Sequence, residues 1–448
     1  MLEQKVFGMI SLGCDKNRVD GERLLGRIRE KGYPITNDPS EAQILIVNTC
    51  AFLESARKEA IDTILDADGL RKGKLEKIVV SGCLSEKFIG ELFPELTEGD
   101  VFLGCGDADR LLEGLETSYR ENARVNLVRQ GRTKEPTDLT RVVTTPLHYA
   151  YLKIAEGCSN RCAYCLIPKI RGDYRSEPME ALVREAESLG DLSELIVVAQ
   201  DISRYGKDLY GEYRLTALLR KLTALPNIGS VRLLYCYPDI LGGELIEEIE
   251  SNDKIVKYLD IPLQHSEDRV LRRMRRPGSR ESYARLLDTL RERIPGIAIR
   301  TTFIAGFPGE TEEDFENLCS FVREQKFFNA GFFAYSREPE TPAYDMPDQI
   351  PEREKKRRVR KLYAVQREIS KARMRGYVGK TVDVLCDGID YDKNCFTGRA
   401  YFSAPDIDGT VYFTAPFAAQ GETYPVFIDR ADSYDLYGHT EDQHESAE

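Results

Sequence analysis

The chain has 448 residues, enough for two to four domains, and its 42% hydrophobic and 31% charged residues are ordinary for a globular protein. Its formal charge of −12 argues against a protein that binds nucleic acid by electrostatic attraction alone. The first residues carry no secretory signal, and no apolar run approaches the roughly 20 residues of a membrane span. We therefore expect a cytoplasmic protein whose 11 cysteines are metal ligands or buried thiols rather than disulfides.

Residues 1–125 form the first predicted domain, in which short β runs alternate with helical patterns. The strand candidates are residues 6–12, 44–47 and 78–80, and the helix candidates are residues 20–31 and 54–66. This alternation predicts a parallel sheet with crossover helices. In such a sheet, ligands bind at the carboxyl ends of the strands.

Three cysteines follow the three strand candidates of this domain at a distance of one to three residues. Cys14 comes after the first strand, Cys50 after the second and Cys83 after the third. Because the carboxyl ends of parallel strands meet at one edge, the three thiols are predicted to meet there as a three-thiolate site. Small buried thiols are the alternative, and Cys105, which follows a further apolar run, makes the pattern less exclusive.

A polar linker is predicted over residues 126–146, and a second domain with a longer β/α alternation over residues 147–350. Its strand candidates are residues 149–154, 195–199, 231–236, 257–261, 298–304 and 331–334, and its helix candidates are residues 179–189, 215–225, 243–249, 280–293 and 312–325. Six β/α units fit a partial barrel rather than a full barrel of eight. The catalytic edge of such a barrel lies where its strands end.

Three further cysteines, Cys158, Cys162 and Cys165, lie in the loop after the first strand of this partial barrel. Their C-x3-C-x2-C spacing lets three thiolates hold three corners of a cubane iron–sulfur cluster and leaves the fourth iron open. With the aromatic Tyr164 before the last cysteine, the spacing resembles the radical S-adenosylmethionine (SAM) signature. The alternatives are a zinc knuckle, which usually needs four ligands in two pairs, and a redox pair, which would not need Cys158.

The last part of the chain changes composition twice. Residues 351–376 hold eleven Lys or Arg and three Glu, with apolar residues at helical spacing, and predict a basic connecting helix packed on the partial barrel. The basic face of this helix is either solvated or, as a sharper interpretation, a contact for the backbone of a substrate. Residues 377–440 predict a small antiparallel β-barrel, and residues 441–448 a frayed polar tail.

Together these parts resemble the methylthiotransferase family, and the resemblance covers nearly the whole chain. Its motifs end at the first three cysteines: Ser11-Leu-Gly-Cys14, Asn48-Thr-Cys50 and Ser81-Gly-Cys83. The family implies an α/β multidomain fold with an N-terminal parallel α/β domain, a partial (β/α)6 barrel as the radical SAM domain, and a small C-terminal TRAM β-barrel. It also implies that Cys14, Cys50 and Cys83 bind a second cluster, and it leaves Cys105 outside the ligand set.

Two branches of this family modify different substrates, a tRNA adenosine or an aspartate of ribosomal small-subunit protein twelve. The chain resembles the second branch in residues 167–172, 200–201, 235–239, 258–265 and 434–438, and it lacks the Gln-Ser-Gly-Ser run typical of the first. Residues 377–448 hold four basic and 14 acidic residues, and so carry −10 of the net charge of −12. Such a surface repels phosphates and attracts a basic ribosomal protein, although an acidic tail can also serve only solubility.

The resemblance implies two 4Fe-4S clusters, SAM as both radical source and methyl donor, and a reducing electron donor. The cluster on Cys158, Cys162 and Cys165 would cleave SAM to the radical that removes a hydrogen from the aspartate β-carbon. The second cluster would then deliver the methylthio group. The non-enzymatic alternative is a ribosome-associated binding module with inert metal sites.

Further SAM contacts are expected at the ends of other strands of the partial barrel. Tyr164 is expected against the adenine, and Gln200 and Asp201 are expected at the SAM amino group. Arg300 and Gly306 belong to a strand and glycine-rich turn that would contact SAM through a close backbone approach. The same turn could equally be an ordinary β/α connection.

Overall fold

The structure is a computed structural model that describes residues 2, 4–129 and 141–440. The predicted frayed tail at 441–448 and most of the predicted linker, residues 130–140, lie outside the described residues. Within that part of the chain, the strands form a five-stranded sheet, a six-stranded sheet, a closed five-stranded barrel and a two-stranded ribbon. No helix among the described residues is long and apolar enough to span a membrane.

The N-terminal sheet is parallel and has helices against both faces, which confirms the predicted α/β domain. Its strands β1 to β5, adjacent in chain order, are Phe7–Ser11, Ile44–Thr49, Lys77–Gly82, Val101–Phe102 and Val125–Asn126. The helices α1 to α4 are Asp15–Glu30, Glu54–Asp68, Cys83–Glu95 and Leu111–Glu121. α1 begins earlier than predicted, because its polar first turn interrupts the apolar periodicity that marks a helix.

The central sheet has six parallel strands in the order β6-β9-β10-β11-β12-β13, as the predicted partial barrel requires. The strands β6 to β13 are Tyr149–Lys153, Ala155–Glu156, Arg175–Ser176, Leu192–Val198, Ile228–Leu233, Ile255–Asp260, Ala298–Ala305 and Asn329–Ala334. The helices α5 to α12 are Ile167–Ile170, Met179–Ser188, Lys207–Tyr210, Leu215–Thr223, Gly243–Ser251, Asp268–Arg273, Arg280–Arg293 and Glu312–Gln325. The two short strands β7 and β8 pair as a ribbon that encloses the second group of cysteines.

Short 3-10 helices occupy several connections near the strand ends. They are Pro39–Glu41, Gly69–Lys72, Ala108–Arg110 and Ile202–Arg204. The last of these begins after Asp201, whose side chain caps it by accepting a hydrogen bond from the backbone N–H of Ser203.

The chain continues through α13 (Glu352–Arg375), the predicted basic helix, into the closed barrel. The barrel strands β14 to β18 are Thr381–Asp390, Cys395–Arg399, Val411–Thr414, Thr423–Ala431 and Leu436–His439. β18 is only four residues long and contains a glycine. β18 runs parallel to β16, while the other pairs of the barrel are antiparallel, because β17 lies between these two strands in the chain.

The barrel packs against the inner face of the central sheet. Tyr149, Tyr151 and Tyr258 of the sheet share one apolar core with Val384 and Val426 of the barrel. The outer face of the sheet is covered instead by its own helices. The closed C-terminal barrel therefore covers the inner face of the partial barrel.

A buried group of charges also joins the barrel to the sheet. Glu194 on β9 accepts hydrogen bonds from Arg232 on β10, at 2.9 Å, and from Arg399 on β15, at 2.6 Å. Burial alone would raise the pKa of Glu194, but the two guanidinium groups lower it to about 2. Arg232 also donates to the carbonyl oxygen of Tyr401 at 2.8 Å.

Candidate active site

The loop that carries Cys158, Cys162 and Cys165 lies between β7 and α5, and neighbouring backbone holds it in place. The Cys158 N–H donates to the carbonyl oxygen of Gly172 at 2.9 Å. Gly157 has a φ of +77°, and a Cβ there would lie 2.4 Å from a carbonyl oxygen of the same neighbouring segment. Only glycine fits this position, so the sequence before the first cysteine is set by the fold of the loop.

A buried arginine lies beside the middle cysteine of this loop. The Arg276 guanidinium is 3.8 Å from Cys162 Sγ, and the Tyr237 hydroxyl is 3.7 Å from the same sulfur. Arg276 also stacks over the Tyr237 ring at 4.1 Å. Burial raises the pKa of the Cys158 thiol to about 11, and the positive charge of Arg204 acts against that rise.

Cys14, Cys50 and Cys83 come together at the carboxyl edge of the N-terminal sheet, where β1, β2 and β3 end. The backbone beside Cys14 touches Cys50 so closely that a Cβ on Gly13 would lie 2.7 Å from the Cys50 Cβ. Burial raises the pKa of Cys50 to about 11, and the charges of Cys83 and Cys14 act on it as well. The three dispersed cysteines are thus neighbours, as the strand-end argument predicts.

Arg171 links the two cysteine groups and is the main residue that the sequence analysis missed. It follows α5, six positions after Cys165, and its Nη2 lies 3.3 Å from Cys83 Sγ. Its Nη1 donates to Asp20 at 2.7 Å and to Glu156 at 2.8 Å. Arg171 is only 2% exposed. One buried side chain therefore joins the loop of the second cysteine group to a thiol of the first.

Glu156, at the end of β7, is the carboxylate on which this link depends. Lys153 donates to it at 2.8 Å, and Gln200 Nε2 donates to its other oxygen at 2.9 Å. Burial opposes the charge of Glu156, but Arg171 and Lys153 lower its pKa well below the usual range. The carboxylate therefore stays ionised and connects Arg171 to the end of β9.

Cys105, which the resemblance leaves outside the ligand set, lies next to that set. Its Sγ is 3.8 Å from Cys83 Sγ, and its backbone N–H donates to Glu86 at 2.9 Å. The contact with Cys105 and the charge of Arg171 lower the pKa of Cys83, while the same contact raises the pKa of Cys105. Four cysteines rather than three therefore gather at this edge.

A lysine and a tyrosine lie beside Cys14, on the side facing the central sheet. Lys16 lies 3.2 Å from the centre of the Tyr235 ring and forms an ion pair with Asp15 at 2.9 Å. The Tyr235 hydroxyl donates to the same carboxylate at 3.3 Å. Burial raises the pKa of Cys14, and the Lys16 charge acts against that rise. Lys16 thus parallels Arg276 as a cation beside a cysteine group.

The two cysteine groups fit iron–sulfur clusters by the chemistry of their donors. Each has three thiols on pinned loops and an arginine close to one sulfur. Among the described residues, no three His, Cys, Asp or Glu side chains surround one point closely enough to hold a single metal ion. A four-iron cluster makes a different demand, because each thiolate binds a separate iron of the cube.

The two residues after β9 that are predicted to contact SAM differ in how many hydrogen bonds they already make within the protein. Asp201 is saturated: it accepts from Ser203 and Arg204 and, at 2.9 Å, from Asn160 in the cysteine loop. Gln200 Oε1 is buried and has no hydrogen-bond partner among the described residues. A buried acceptor therefore remains free at Gln200, while Asp201 holds the cysteine loop through Asn160, and a SAM contact at either residue stays a prediction.

Tyr164 and the turn after β12 lie next to each other. The Tyr164 ring packs edge-on against Phe307, with 6.4 Å between ring centres. The neighbouring Gly306 has a φ of +79°, and a Cβ there would lie 2.4 Å from the Lys355 side chain. Contact with α13 thus accounts for this glycine without a ligand, and a SAM contact at Gly306 stays a prediction.

Arg300 is held by two carboxylates, one of them from the terminal barrel. Its Nη1 lies 3.2 Å from Asp260 on β11, and its Nε lies 3.4 Å from Asp408. Asp408 also accepts a hydrogen bond from the Tyr258 hydroxyl at 2.7 Å. The visible role of Arg300 is to join the sheet to the barrel, and a SAM contact at this residue stays a prediction.

Comparison with family models divides the chain as the sheets do. Residues 6–104 match the uncharacterized protein family UPF0004, residues 152–322 match the radical SAM superfamily, and residues 378–440 match the TRAM domain. The two cysteine groups fall in the first and second of these matches.

Curated relatives match the chain over almost its full length. A ribosomal protein uS12 methylthiotransferase RimO from Trichlorobacter lovleyi is 46% identical and covers 97% of this chain and 98% of its own. A protein of the same name from a Thermoanaerobacter species is 44% identical and covers 97% of this chain and 99% of its own. Another, from Geobacter sulfurreducens, is 44% identical and covers 96% of this chain and 97% of its own.

Solved structures share the fold at low sequence identity. The radical SAM methyltransferase TsrM from Kitasatospora setae, bound to tryptophan and a SAM analogue, matches with a TM-score of 0.56 and 16% identity over 76% of this chain and 75% of its own. The cobalamin-dependent radical enzyme OxsB matches with a TM-score of 0.50 and 12% identity over 77% of this chain and 55% of its own.

Proposed function

Since the chain belongs to the RimO family of ribosomal protein uS12 methylthiotransferases, we propose that it adds a methylthio group to the β-carbon of an aspartate in uS12. The observation that carries this proposal is the pairing of two three-cysteine groups through Arg171. A non-enzymatic binding module would not require two such groups to be joined by a buried guanidinium. Because uS12 is a ribosomal protein, we further propose that the chain acts where ribosomes are, in the cytoplasm.

Each cysteine group would hold one 4Fe-4S cluster. Cys158, Cys162 and Cys165 would hold the first, and Cys14, Cys50 and Cys83 the second. When bound, the first cluster supplies the electron that cleaves SAM to a radical, the second supplies the sulfur that is transferred, and a second SAM supplies the methyl group. The electron comes from a reducing donor outside the chain.

The chain's own residues orient SAM and hold charge. Gln200 Oε1 would accept the SAM amino group, because it is the buried acceptor left without a partner among the described residues. Tyr164, fixed against Phe307, would offer one ring face to the adenine. Arg276 and Arg171 stabilise the negative charge that thiolates bring into a buried region. Asp201, through Asn160, keeps the cysteine loop in place.

The covalent step requires exclusion of water as well as orientation. The β-carbon C–H bond of an aspartate is not acidic, so side-chain bases cannot open it and a radical must. A radical in contact with solvent or a mobile side chain would be quenched. The loop pinned at Gly157 and Gly172 serves orientation, and the burial of Cys83 and Cys162 keeps part of each cysteine group away from water.

The acidic terminal segment favours a basic protein as the substrate over tRNA. Residues 377–448 carry a formal charge of −10, which repels a phosphate backbone and attracts a basic ribosomal protein. The full-length relatives also carry the uS12 name. We further propose the functional units 1–125, 147–350 and 377–440, joined by the linker 126–146 and the helix 351–376.

The proposal is tested by mass spectrometry of uS12 and of tRNA from a deletion strain. Loss of the methylthio group from uS12, restored by the intact gene, is the expected result. Loss of methylthio-adenosine from tRNA with uS12 still modified would overturn the assignment. With reconstituted protein, formation of 5′-deoxyadenosine separates an enzyme from an inert metal-binding module.

A further inference from the structure

The eleven cations of α13 divide into two groups of different character. Five are engaged: Lys355 with Glu352, Arg357 and Arg358 with glutamates of α12 and its own helix, Lys361 with Glu316, and Arg373 with the carbonyl oxygen of Lys326. The other six have no carboxylate within ion-pair distance among the described residues. They are Arg353, Lys356, Arg360, Arg367, Lys371 and Arg375.

These six cations form one stripe along the helix. At 100° per residue, their positions fall within an arc of about 100°, and from Arg353 to Arg375 they cover about 33 Å of helix length. All are exposed except Lys371, which is half-buried. The opposite face, with Leu362, Val365 and Ile369, packs on the central domain. We call this set of six residues the basic stripe.

The basic stripe contains like-charge neighbours that destabilise a helix. Lys356 and Arg360, Arg367 and Lys371, and Lys371 and Arg375 are each four residues apart, so each pair repels. The side of the same helix that faces α12 instead matches cations with glutamates, as Arg357 does with Glu312 at 2.6 Å. A merely solvated face would not need to keep one sign of charge over six turns.

We propose that the basic stripe binds the phosphate backbone of RNA, so that the enzyme recognises uS12 presented on ribosomal RNA. The inference rests on the proposed function and adds a second partner to it. Cations four residues apart advance about 6 Å along the helix, so the stripe presents positive charge at regular intervals to a regular polyanion. The acidic barrel would face the basic protein while the stripe faces the acidic RNA.

The chemistry of the stripe favours RNA over a lipid surface. A helix that lies on a membrane must insert an apolar face. The apolar face of α13 is already covered by the central domain. What remains exposed is long, linear and rich in arginine, which suits a regular polyanion.

The direct test is the binding of a short labelled RNA duplex to the full-length reconstituted protein at several salt concentrations. The stripe variant Arg360→Glu, Arg367→Glu, Lys371→Glu is compared with a control variant that makes the same charge change elsewhere: Lys31→Glu, Lys72→Glu, Lys221→Glu. Each phosphate contact contributes about 0.7 to 0.9 to the salt slope. We expect the stripe variant to lose about 2 to 3 units of slope and at least about tenfold in affinity.

The control variant should retain both the slope and the affinity of the unmodified protein. Equal losses in the two variants would show a general charge effect, and no loss in either would show that the stripe is a solvated face. Both results overturn the inference. Binding of phosphatidylglycerol vesicles that depends on the stripe, with no RNA binding, would also overturn it.

A second assay separates failure of this inference from failure of the proposed function. Intact small ribosomal subunits lacking the modification and a free peptide from uS12 are offered as substrates. We expect the stripe variant to lose at least about tenfold in kcat/KM on subunits and nothing on the peptide. If the unmodified protein acts on neither, the proposed function fails. If it acts on both and the variant matches it, only the inference about RNA fails.

Discussion

The two cysteine groups of this chain have the same composition but are built in different ways. Cys158, Cys162 and Cys165 lie within eight residues of one loop, and that loop is fixed by backbone hydrogen bonds and by Gly157. Cys14, Cys50 and Cys83 come from the ends of three strands, and the parallel sheet alone brings them together. The group of Cys158, Cys162 and Cys165 is a local structure, whereas the group of Cys14, Cys50 and Cys83 is a property of the whole N-terminal domain.

The surroundings of the two groups differ in a way that suits different tasks. Cys162 has a cation and a tyrosine beside it, and Tyr164 adds an aromatic surface nearby. Cys83 has a cation and a further thiol, that of Cys105. We propose that the group of Cys158, Cys162 and Cys165 holds an organic ligand as well as a cluster, and that the group of Cys14, Cys50 and Cys83 holds additional sulfur.

The largest expected effect is that of Cys158→Ala. This substitution removes one ligand of the group that would bind SAM, so 5′-deoxyadenosine formation should fall to background. Iron after anaerobic reconstitution should fall from about eight to about four per chain. Cys395→Ala, in the terminal barrel, is the matched control and should change neither quantity. Continued SAM cleavage in Cys158→Ala would show that this group is not the radical site.

Cys83→Ala should separate the two groups. Iron should again fall to about four per chain, but SAM cleavage should persist, because the central loop is intact. Methylthio transfer to a uS12 peptide should be lost, as measured by mass spectrometry. Loss of SAM cleavage together with transfer would mean that the groups do not act separately.

Arg171→Met tests the connection between the groups. Among the described residues it leaves Asp20 and Glu156 with Lys153 as their one buried counter-charge, so the free energy of unfolding of the metal-free protein should fall by about 3 kcal/mol. Arg161→Met instead removes an exposed ion pair with Asp173 and should change the free energy of unfolding by less than about 1 kcal/mol. Equal values from denaturant titration of the two variants would show that Arg171 does not join the domains.

Cys105→Ala should have the smallest effect. We expect unchanged iron content, since three thiolates remain. In the metal-free protein the contact with Cys105 lowers the pKa of Cys83, so its removal should move the pH midpoint of Cys83 alkylation upwards. Peptide mass spectrometry across pH measures this midpoint, with Cys50, whose pKa lies at about 11, as the internal reference. A loss of iron would instead make Cys105 a ligand.

Sequence reasoning found the cysteine groups because both leave a signal along the chain. The spacing of Cys158, Cys162 and Cys165 is readable directly, and Cys14 and Cys50 are readable once strand ends are placed. The six central strands and the basic helix were also predicted, because their apolar periods are long and regular. The structure confirms the parallel sheets and the small closed barrel.

The residues that sequence reasoning missed act through contacts distant in the chain. Arg171 meets Cys83 across 88 positions, and Arg276 meets Cys162 across 114, so no local pattern could pair them. Arg300 and Asp201 were predicted from their place at strand ends, yet their side chains are largely engaged by protein. The position of a residue at the edge of a sheet does not tell whether its side chain is free to contact a ligand.

The packing of the terminal barrel into the inner face of the central sheet has a consequence for experiments that shorten the chain. Deletion after Gly376 would strip Tyr149, Tyr151 and Tyr258 of their apolar cover and leave Arg300 without Asp408. The shortened protein would expose this apolar surface to water and would tend to aggregate. If such a truncation lost activity, the cause could be misfolding of the central domain rather than loss of substrate recognition. Substrate recognition by the barrel is therefore better tested by substitutions on the barrel surface.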